Sequence, residues 1–201
     1  MADEPPHSVA FVGLGAMGEG MAANLHKGRV EQGCRPVIVW NRSFEKAEKH
    51  AAAHGTEAVA DLSEVATANV IVSCLPTSAQ VRDLAQTLAP MLKAGTLWID
   101  CTSGEPVATR LIASEVLGPA DVALVDCPVS GGPSGAASGQ LTAMVGGEPA
   151  AVASATPLIA LFAKKNIVPC GGLGCACAVK SVNNALNVSH LALVRLLASS
   201  A

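Results

Sequence analysis

Apolar and polar positions fall in blocks along this chain, and the blocks switch between the period of a strand and that of a helix. Val9-Ala-Phe-Val12 is a continuous apolar run that ends in Gly13-Leu14-Gly15-Ala16-Met17-Gly18, after which Met17, Met21 and Leu25 share one helical face. Pro36 to Trp40 predicts a second buried strand, and Ser43 to about His54 a helix with Ser43 as its N-cap. Further strands are predicted at Val70–Cys74, Thr96–Asp100, Val122–Val125, Leu141–Val145 and Ile167–Val168. Helical patterns cover Ala79–Leu92, Pro106–Leu117 and Pro149–Phe162, the last expected to kink or break at Pro157. Asp126 to Gly139, rich in glycine, serine and proline, reads as a loop. From Gly174 a single long helix begins, and beyond Leu186 it is apolar nearly all round. Strands alternating with helices predict an α/β fold: a doubly wound, mostly parallel sheet in residues 1–172, followed over 173–201 by the start of a long interdomain helix.

Composition narrows the class of function. Half of the 201 residues are hydrophobic, only 14% are charged and the formal net charge is −3, so no basic stripe is available to a nucleic-acid backbone. With no tyrosine and few other aromatics, a base-stacking platform is not expected either. The seven cysteines (34, 74, 101, 127, 170, 175 and 177) form an odd set, and free thiols in a reducing compartment are the expected state. Met1 to His7 is acidic and carries prolines, unlike a transit peptide or a secretory signal, so a cytoplasmic address is expected. His190 and Arg195 interrupt the final helix, which is short for a bilayer span. Its apolar surface is expected to be covered by a missing domain or a partner subunit, making the chain a homo-oligomer through this helix.

The glycine turn is the first element with chemistry. In a strand-turn-helix context, Gly13 allows the tight turn, Gly15 lets phosphate oxygens approach the backbone and Gly18 lets helix and strand pack closely; the amides at the helix start then suit a dinucleotide pyrophosphate. This is the Rossmann-like arrangement. About twenty residues on, where an acidic residue usually binds the adenosine ribose, the chain has Asn41-Arg42-Ser43. A carboxylate there would repel a 2′-phosphate, whereas Arg42 can pair with one and Asn41 or Ser43 can donate hydrogen bonds, so NADP is expected over NAD. The competing reading is a solvated loop cation beside a turn asparagine. Ser73-Cys-Leu75-Pro76-Thr77 and Asp100-Cys-Thr102-Ser103-Gly104 end two further strands at the same carboxyl edge, either as cofactor-lining turns or as ordinary capped ones.

Ser130, Gly131 and Gly132, in the Asp126–Gly139 loop, offer amides and a hydroxyl suited to a carboxylate or phosphate, though a flexible connector would look similar. Lys180 lies near the start of the final helix with Asn184 four residues on and on the same face, so both can reach one substrate. The positive end of the helix dipole is expected to destabilise the ammonium and make it a general acid/base; the alternative is a surface lysine. No metal site is expected, because Cys170, Cys175 and Cys177 have no second cluster to complete one and read as buried thiols. His50 and His54 share a helix face at metal-like spacing, but a solvated helix surface explains them more simply. No serine-elbow pattern is present.

Taken in order, these elements resemble the β-hydroxyacid dehydrogenase family, which includes 3-hydroxyisobutyrate dehydrogenases, tartronate semialdehyde reductases and glyoxylate/succinic semialdehyde reductases. The resemblance runs from Val9 to about Leu193, on Gly13–Gly18 with Asn24-Leu25, on Asp126-Cys-Pro-Val-Ser-Gly-Gly132, and on Lys180-Ser-Val-Asn-Asn184. It implies that Lys180 exchanges a proton with a small β-hydroxy acid or its semialdehyde while hydride moves to or from the nicotinamide. It further implies that Ser130, Gly131 and Gly132 hold the substrate carboxylate, that Asn184 orients it, and that Leu75, Pro76 and Ser103 line the cofactor. Ala176 departs from the family's usual glycine, and Thr102-Ser103 reverses its usual order. Family members continue into an all-helical second domain, whereas this chain stops inside the connecting helix. An NADP-binding module without catalysis, acting through cofactor binding or self-association, is therefore the alternative expectation.

Overall fold

In a computed structural model, which describes residues 8–199, the chain lays down β1 (Val9–Val12), α1 (Gly18–Glu31), β2 (Ile38–Trp40), α2 (Phe44–His54), β3 (Glu57–Ala58), α3 (Leu62–Val65), β4 (Val70–Ser73), α4 (Ser78–Leu88) and β5 (Leu97–Asp100). It continues with α5 (Pro106–Leu111), β6 (Ala123–Asp126), β7 (Val129–Ser130), α6 (Gly132–Ser138), β8 (Thr142–Gly146), α7 (Pro149–Phe162), β9 (Asn166–Gly171) and α8 (Cys175–Ser199). Met1 to His7, which carried the reading of a cytoplasmic address, lies outside the described residues.

The strands form one sheet in the order β3-β2-β1-β4-β5-β6-β8-β7, with β9 beside β8. Pairing is parallel from β3 through β6 and between β8 and β9, and antiparallel where β8 meets β6 and β7. The expected α/β, doubly wound, mostly parallel sheet is thus the observed architecture. Its apolar runs are continuous because both faces are covered, and alternate residues serve opposite cores. Val9, Phe11, Val70, Val72, Leu97 and Ile99 pack on the side of α1 and α7 with Met21, Leu25, Ile159 and Phe162. Ala10, Val12, Ile71 and Trp98 pack on the other side with Val81, Leu84, Leu88, Ile112 and Leu117. The chain first winds outward from β1 to β3 and then returns to place β4 on the other side of β1, so the carboxyl ends of β1 and β4 flank the switch point where ligands enter such sheets.

Several expectations need correction. Asp126–Gly139 is not a plain loop: it contains β7 and the seven-residue α6, which small residues permit because α6 lies hard against α1. A Cβ on Gly20 of α1 would sit 2.6 Å from the Ala136 carbonyl carbon. Helix α7 runs through Pro157 without a break. The carbonyl that loses its i+4 donor there is that of Ala153, on the exposed side of the helix where water can serve it. Ser43 precedes α2, but its side chain makes no capping hydrogen bond. The helix predicted over Pro106–Leu117 changes at Ile112 into a π-helical stretch. The short β3 and α3 carried too few residues for a periodic signal.

Candidate functional site

At the switch point the three glycines of the first turn meet different surroundings. A Cβ on Gly13, which has φ +100°, would stand 2.4 Å from the Cys74 carbonyl oxygen, and one on Gly18 would stand 1.9 Å from the Gly13 carbonyl oxygen. Both positions are therefore closed by the protein's own backbone. Around Gly15 nothing lies within 4 Å of where a Cβ would be, and Gly15 and Ala16 are exposed while Leu14 is buried. This open space, at a helix start whose first amides have no partner within the helix, fits a phosphate-bearing cofactor. The Leu14 amide donates to Asn41 Oδ1 at 3.1 Å and Asn41 Nδ2 donates to the Ser43 carbonyl at 3.0 Å. The Asn41 side chain thus ties the glycine turn to the end of β2, and its amide is engaged by the protein rather than turned to a ligand.

Beside this turn a cavity of about 420 Å³ opens between the ends of β1 and β2 and helix α4. Val12, Trp40, Leu62, Leu75 and Leu84 give it apolar walls, and Arg42, Ser43 and Lys46 give it a polar, cationic end. Helix α4 contributes Gln80, Asp83 and Thr87 along its cavity side. Gln80 Oε1 itself is fully enclosed and has no hydrogen-bond partner. Lys46 and Gln80 escaped the sequence reading; Lys46 was detectable as the cation three residues beyond Ser43 in the first turn of α2.

A second cavity of about 480 Å³ shares the Leu75 wall. It brings together Met17, Leu75, Pro76 and Ser103 with Ser130, Gly131, Gly132, Lys180 and Asn184, and adds Asn187, one further turn along α8. Asn187 had a signal in the sequence, at seven residues past Lys180 on the same helical face.

Each wall has a visible support. Asp126, fully buried at the end of β6, accepts the Gly174 amide on Oδ1 and the Cys177 amide on Oδ2, both at 2.9 Å, and so anchors the start of α8. The sequence from Gly171 to Cys175 offers no local cap, which makes the distant carboxylate the cap instead. Lys180, held by this helix, is 8% exposed, and its burial pushes the ammonium below the ordinary lysine value. Burial is the cause of that shift; Lys180 is the sixth residue of α8, beyond the first turn where the dipole acts most strongly. Ala176 is fully buried where Gly146 leaves it room, a Cβ on Gly146 falling 3.2 Å from the Ala176 nitrogen.

Backbone kinks shape the Ser130–Gly132 wall, Gly131 and Gly132 having φ +141° and +66°. Asn24 Nδ2 of α1 reaches the carbonyls of Gly20, Ala136 and Ala137 at 2.8, 2.9 and 3.1 Å, which docks α6 on the glycine-turn helix. Behind Ser103, Trp98 Nε1 donates to Ser73 Oγ at 2.9 Å, and Ser73 Oγ donates to Asp100 Oδ1 at 2.8 Å. The Thr102 amide also donates to Asp100 Oδ1, and Thr102 Oγ1 accepts the Leu75 amide at 3.0 Å, so both cofactor-edge turns share one buried network.

The thiols are all free. Burial pushes Cys74 and Cys177 up to about 12, so both stay protonated at neutral pH. Cys177 is buried as expected, but Cys170 and Cys175 are only partly so. No group of three or more candidate metal ligands occurs among the described residues. His50 departs from the solvated reading. It is buried, with Nε2 donating to the Glu19 carbonyl at 3.0 Å and Nδ1 accepting from Thr56 Oγ1 at 2.8 Å, since a carbonyl oxygen can only accept. No helix among the described residues is long and apolar enough to cross a membrane.

Residues 8–172 match the family model of the NAD binding domain of 6-phosphogluconate dehydrogenase. The mitochondrial 3-hydroxyisobutyrate dehydrogenase of Bos taurus is 36% identical over 190 residues, covering 92% of this chain and 54% of the relative. The chain thus spans about half the length of the curated relatives it matches. Among solved structures, Mycobacterium tuberculosis 3-hydroxyisobutyrate dehydrogenase with L-serine superposes with a TM-score of 0.84 at 32% identity, over 94% of this chain and 63% of that one. Psf3 in complex with NADP+ and 2-OPP gives 0.78 at 30% identity, over 88% and 61%.

Proposed function

Because the chain belongs to the family of the NAD binding domain of 6-phosphogluconate dehydrogenase, with 3-hydroxyisobutyrate dehydrogenases among its relatives, we propose that it is an NADP-dependent oxidoreductase for a small β-hydroxy acid or the matching semialdehyde. One observation carries this reading: Lys180 and Asn184 share a cavity with Ser130, Gly131 and Gly132, and Leu75 is common to that cavity and the one beside the glycine turn. Gly13 to Gly18, including Leu14, Ala16 and Met17, hold the pyrophosphate, and Arg42 with Ser43 meets the 2′-phosphate while Asn41 keeps the turn in place. The absence of a carboxylate among Asn41-Arg42-Ser43 supports NADP over NAD, as does the NADP+ held by a relative of 30% identity.

When bound, the nicotinamide supplies or accepts the hydride at the substrate carbon. The chain's own residues govern the proton and the pose. Ser130 Oγ and the amides of Gly131 and Gly132 hold the substrate carboxylate, and the Asn184 carboxamide orients it. The Lys180 ammonium donates its proton to the carbonyl oxygen as that oxygen gains charge, and the amine takes one back from the hydroxyl in the reverse direction. A lysine made less basic by burial gives up this proton more readily than an exposed one. Met17, Pro76 and Ser103 line the same cavity beside the reacting pair.

A second reading has its own support: Leu186, Leu191 and Leu193 on α8 are 55–65% exposed, which suits a module that binds cofactor and associates through this helix without turnover. Cofactor oxidation separates the two. With glyoxylate, succinic semialdehyde and methylmalonate semialdehyde as substrates, the oxidoreductase is expected to consume NADPH faster than NADH with at least one. Tight NADPH binding with no turnover of any of the three would favour the module.

A further inference from the structure

Asn187 stands between Leu186 and Val188, where α8 turns apolar nearly all round. Asparagine is a poor helix former, and inside a helix it loses the caps and turns it favours elsewhere. Its place on the helix gives it a use. At 3.6 residues per turn, Lys180, Asn184 and Asn187 fall within about 60° of one another, and Asn187 lies about 4.5 Å beyond Asn184 along the axis. All three line the cavity of about 480 Å³ that also holds Ser130, Gly131 and Gly132. The central carbon of a small β-hydroxy acid carries the carboxylate, the carbon that reacts and one further substituent. In the proposed function the carboxylate belongs to the Ser130–Gly132 wall with Asn184, and the reacting carbon to Lys180. Asn187 is the side chain of α8 in this cavity that these roles leave over.

Charge decides which substituent suits it. Among the described residues that line the cavity, Lys180 is the one charged side chain, so one carboxylate is matched and a second would enter without a cation to pair with. A methyl group offers the carboxamide nothing to bond. A hydroxyl both donates and accepts, as the carboxamide does, and carries no charge. From this arrangement we infer that Asn187 is a specificity-determining residue, which hydrogen bonds to a hydroxyl on the central carbon of the substrate. The chain therefore prefers a dihydroxy acid, or its oxo form, to an acid bearing a methyl or a second carboxylate on that carbon. The inference rests on the proposed function and adds to it the substituent that the site selects.

The test compares NADP+-dependent oxidation of glycerate, 3-hydroxyisobutyrate and hydroxymethylmalonate, which differ only in carrying a hydroxyl, a methyl or a carboxylate on that carbon; the chiral acids are used as racemates. For the wild-type chain kcat/KM is expected to be about tenfold higher for glycerate than for either of the others, the fold-change of one hydrogen bond. In Asn187→Leu the preference for glycerate over 3-hydroxyisobutyrate is expected to shrink to within about twofold, mainly through a higher KM for glycerate. Asn187 is exposed, so its replacement leaves the core alone, and NADPH fluorescence on the same preparation shows that the variant is folded. A wild-type chain with no preference for glycerate, or full preference in Asn187→Leu, would overturn the role of Asn187 while the turnover itself upheld the proposed function. The same holds for a chain that reduces one of the semialdehydes but does not oxidise glycerate. A chain that binds NADPH and turns over none of these compounds would overturn both.

Discussion

In the proposed function, Arg42 is the residue on which the choice of dinucleotide turns. It is exposed, it borders the cavity beside the glycine turn, and no carboxylate stands next to it at the end of β2. Arg42→Ala is expected to weaken NADPH binding by about tenfold or more while changing NADH binding little, because only the former carries the 2′-phosphate; titrating both nucleotides checks it. His50 makes a different kind of prediction. Burial pulls its pKa below the ordinary 6.5, outweighing the Glu19 carbonyl, which accepts from Nε2 and favours the charged ring. Below pH 6.5 the unfolded chain therefore binds a proton that the folded chain resists, and stability falls as pH drops from 6.5 toward the lowered value. His26 is lowered by burial too and acts in the same direction. Urea unfolding at pH 7.5 and 5.5 should show this loss, with a smaller one in His50→Gln. Among single residues, the glycines and Lys180 were legible because turn geometry and spacing mark them. Burial of His50 was not, because Thr56 and Glu19 close over it from other elements.

At the scale of elements, α8 carries Lys180 and Asn184, and its start is fixed by a carboxylate forty-eight residues back in the chain. Asp126→Ala would leave two buried amides unpaired, at a cost on the order of 2–4 kcal/mol. A thermal melt is expected to drop accordingly, and turnover is expected to fall more than NADPH affinity, since the glycine turn does not depend on this anchor. Replacing Asp126 without any change in melting or turnover would remove it from the support of the site. Apart from β3 and β7, the strands of the sheet were readable from their apolar runs, to within three residues at their ends. The loop that became β7 and α6 was not, because alanine, serine and glycine carry no hydrophobic period, and only the close contact of Gly20 with Ala136 and the reach of Asn24 reveal why a helix forms there.

For the whole molecule, a doubly wound, mostly parallel sheet follows from alternating elements, and the observed strand order brings the carboxyl ends of β1, β4 and β5 to the same edge as the Ser130 loop and α8. What covers the outer faces of α8 does not follow from the sequence, since an apolar helix surface states a need for a partner without naming one. Association through it is expected: light scattering should give a species larger than the monomer, and Leu191→Glu with Leu193→Glu should return the chain to monomers without loss of NADPH binding. A monomeric wild-type chain at high concentration would contradict that.

Joining the cofactor cavity to the catalytic one is the central claim, and Lys180→Ala tests it most directly when NADPH binding and aldehyde reduction are measured on the same preparation. The variant should bind NADPH within about twofold of the wild-type chain while its turnover falls by at least about a hundredfold, the usual contribution of a positioned general acid. Turnover undiminished in Lys180→Ala, with binding intact, would contradict the account.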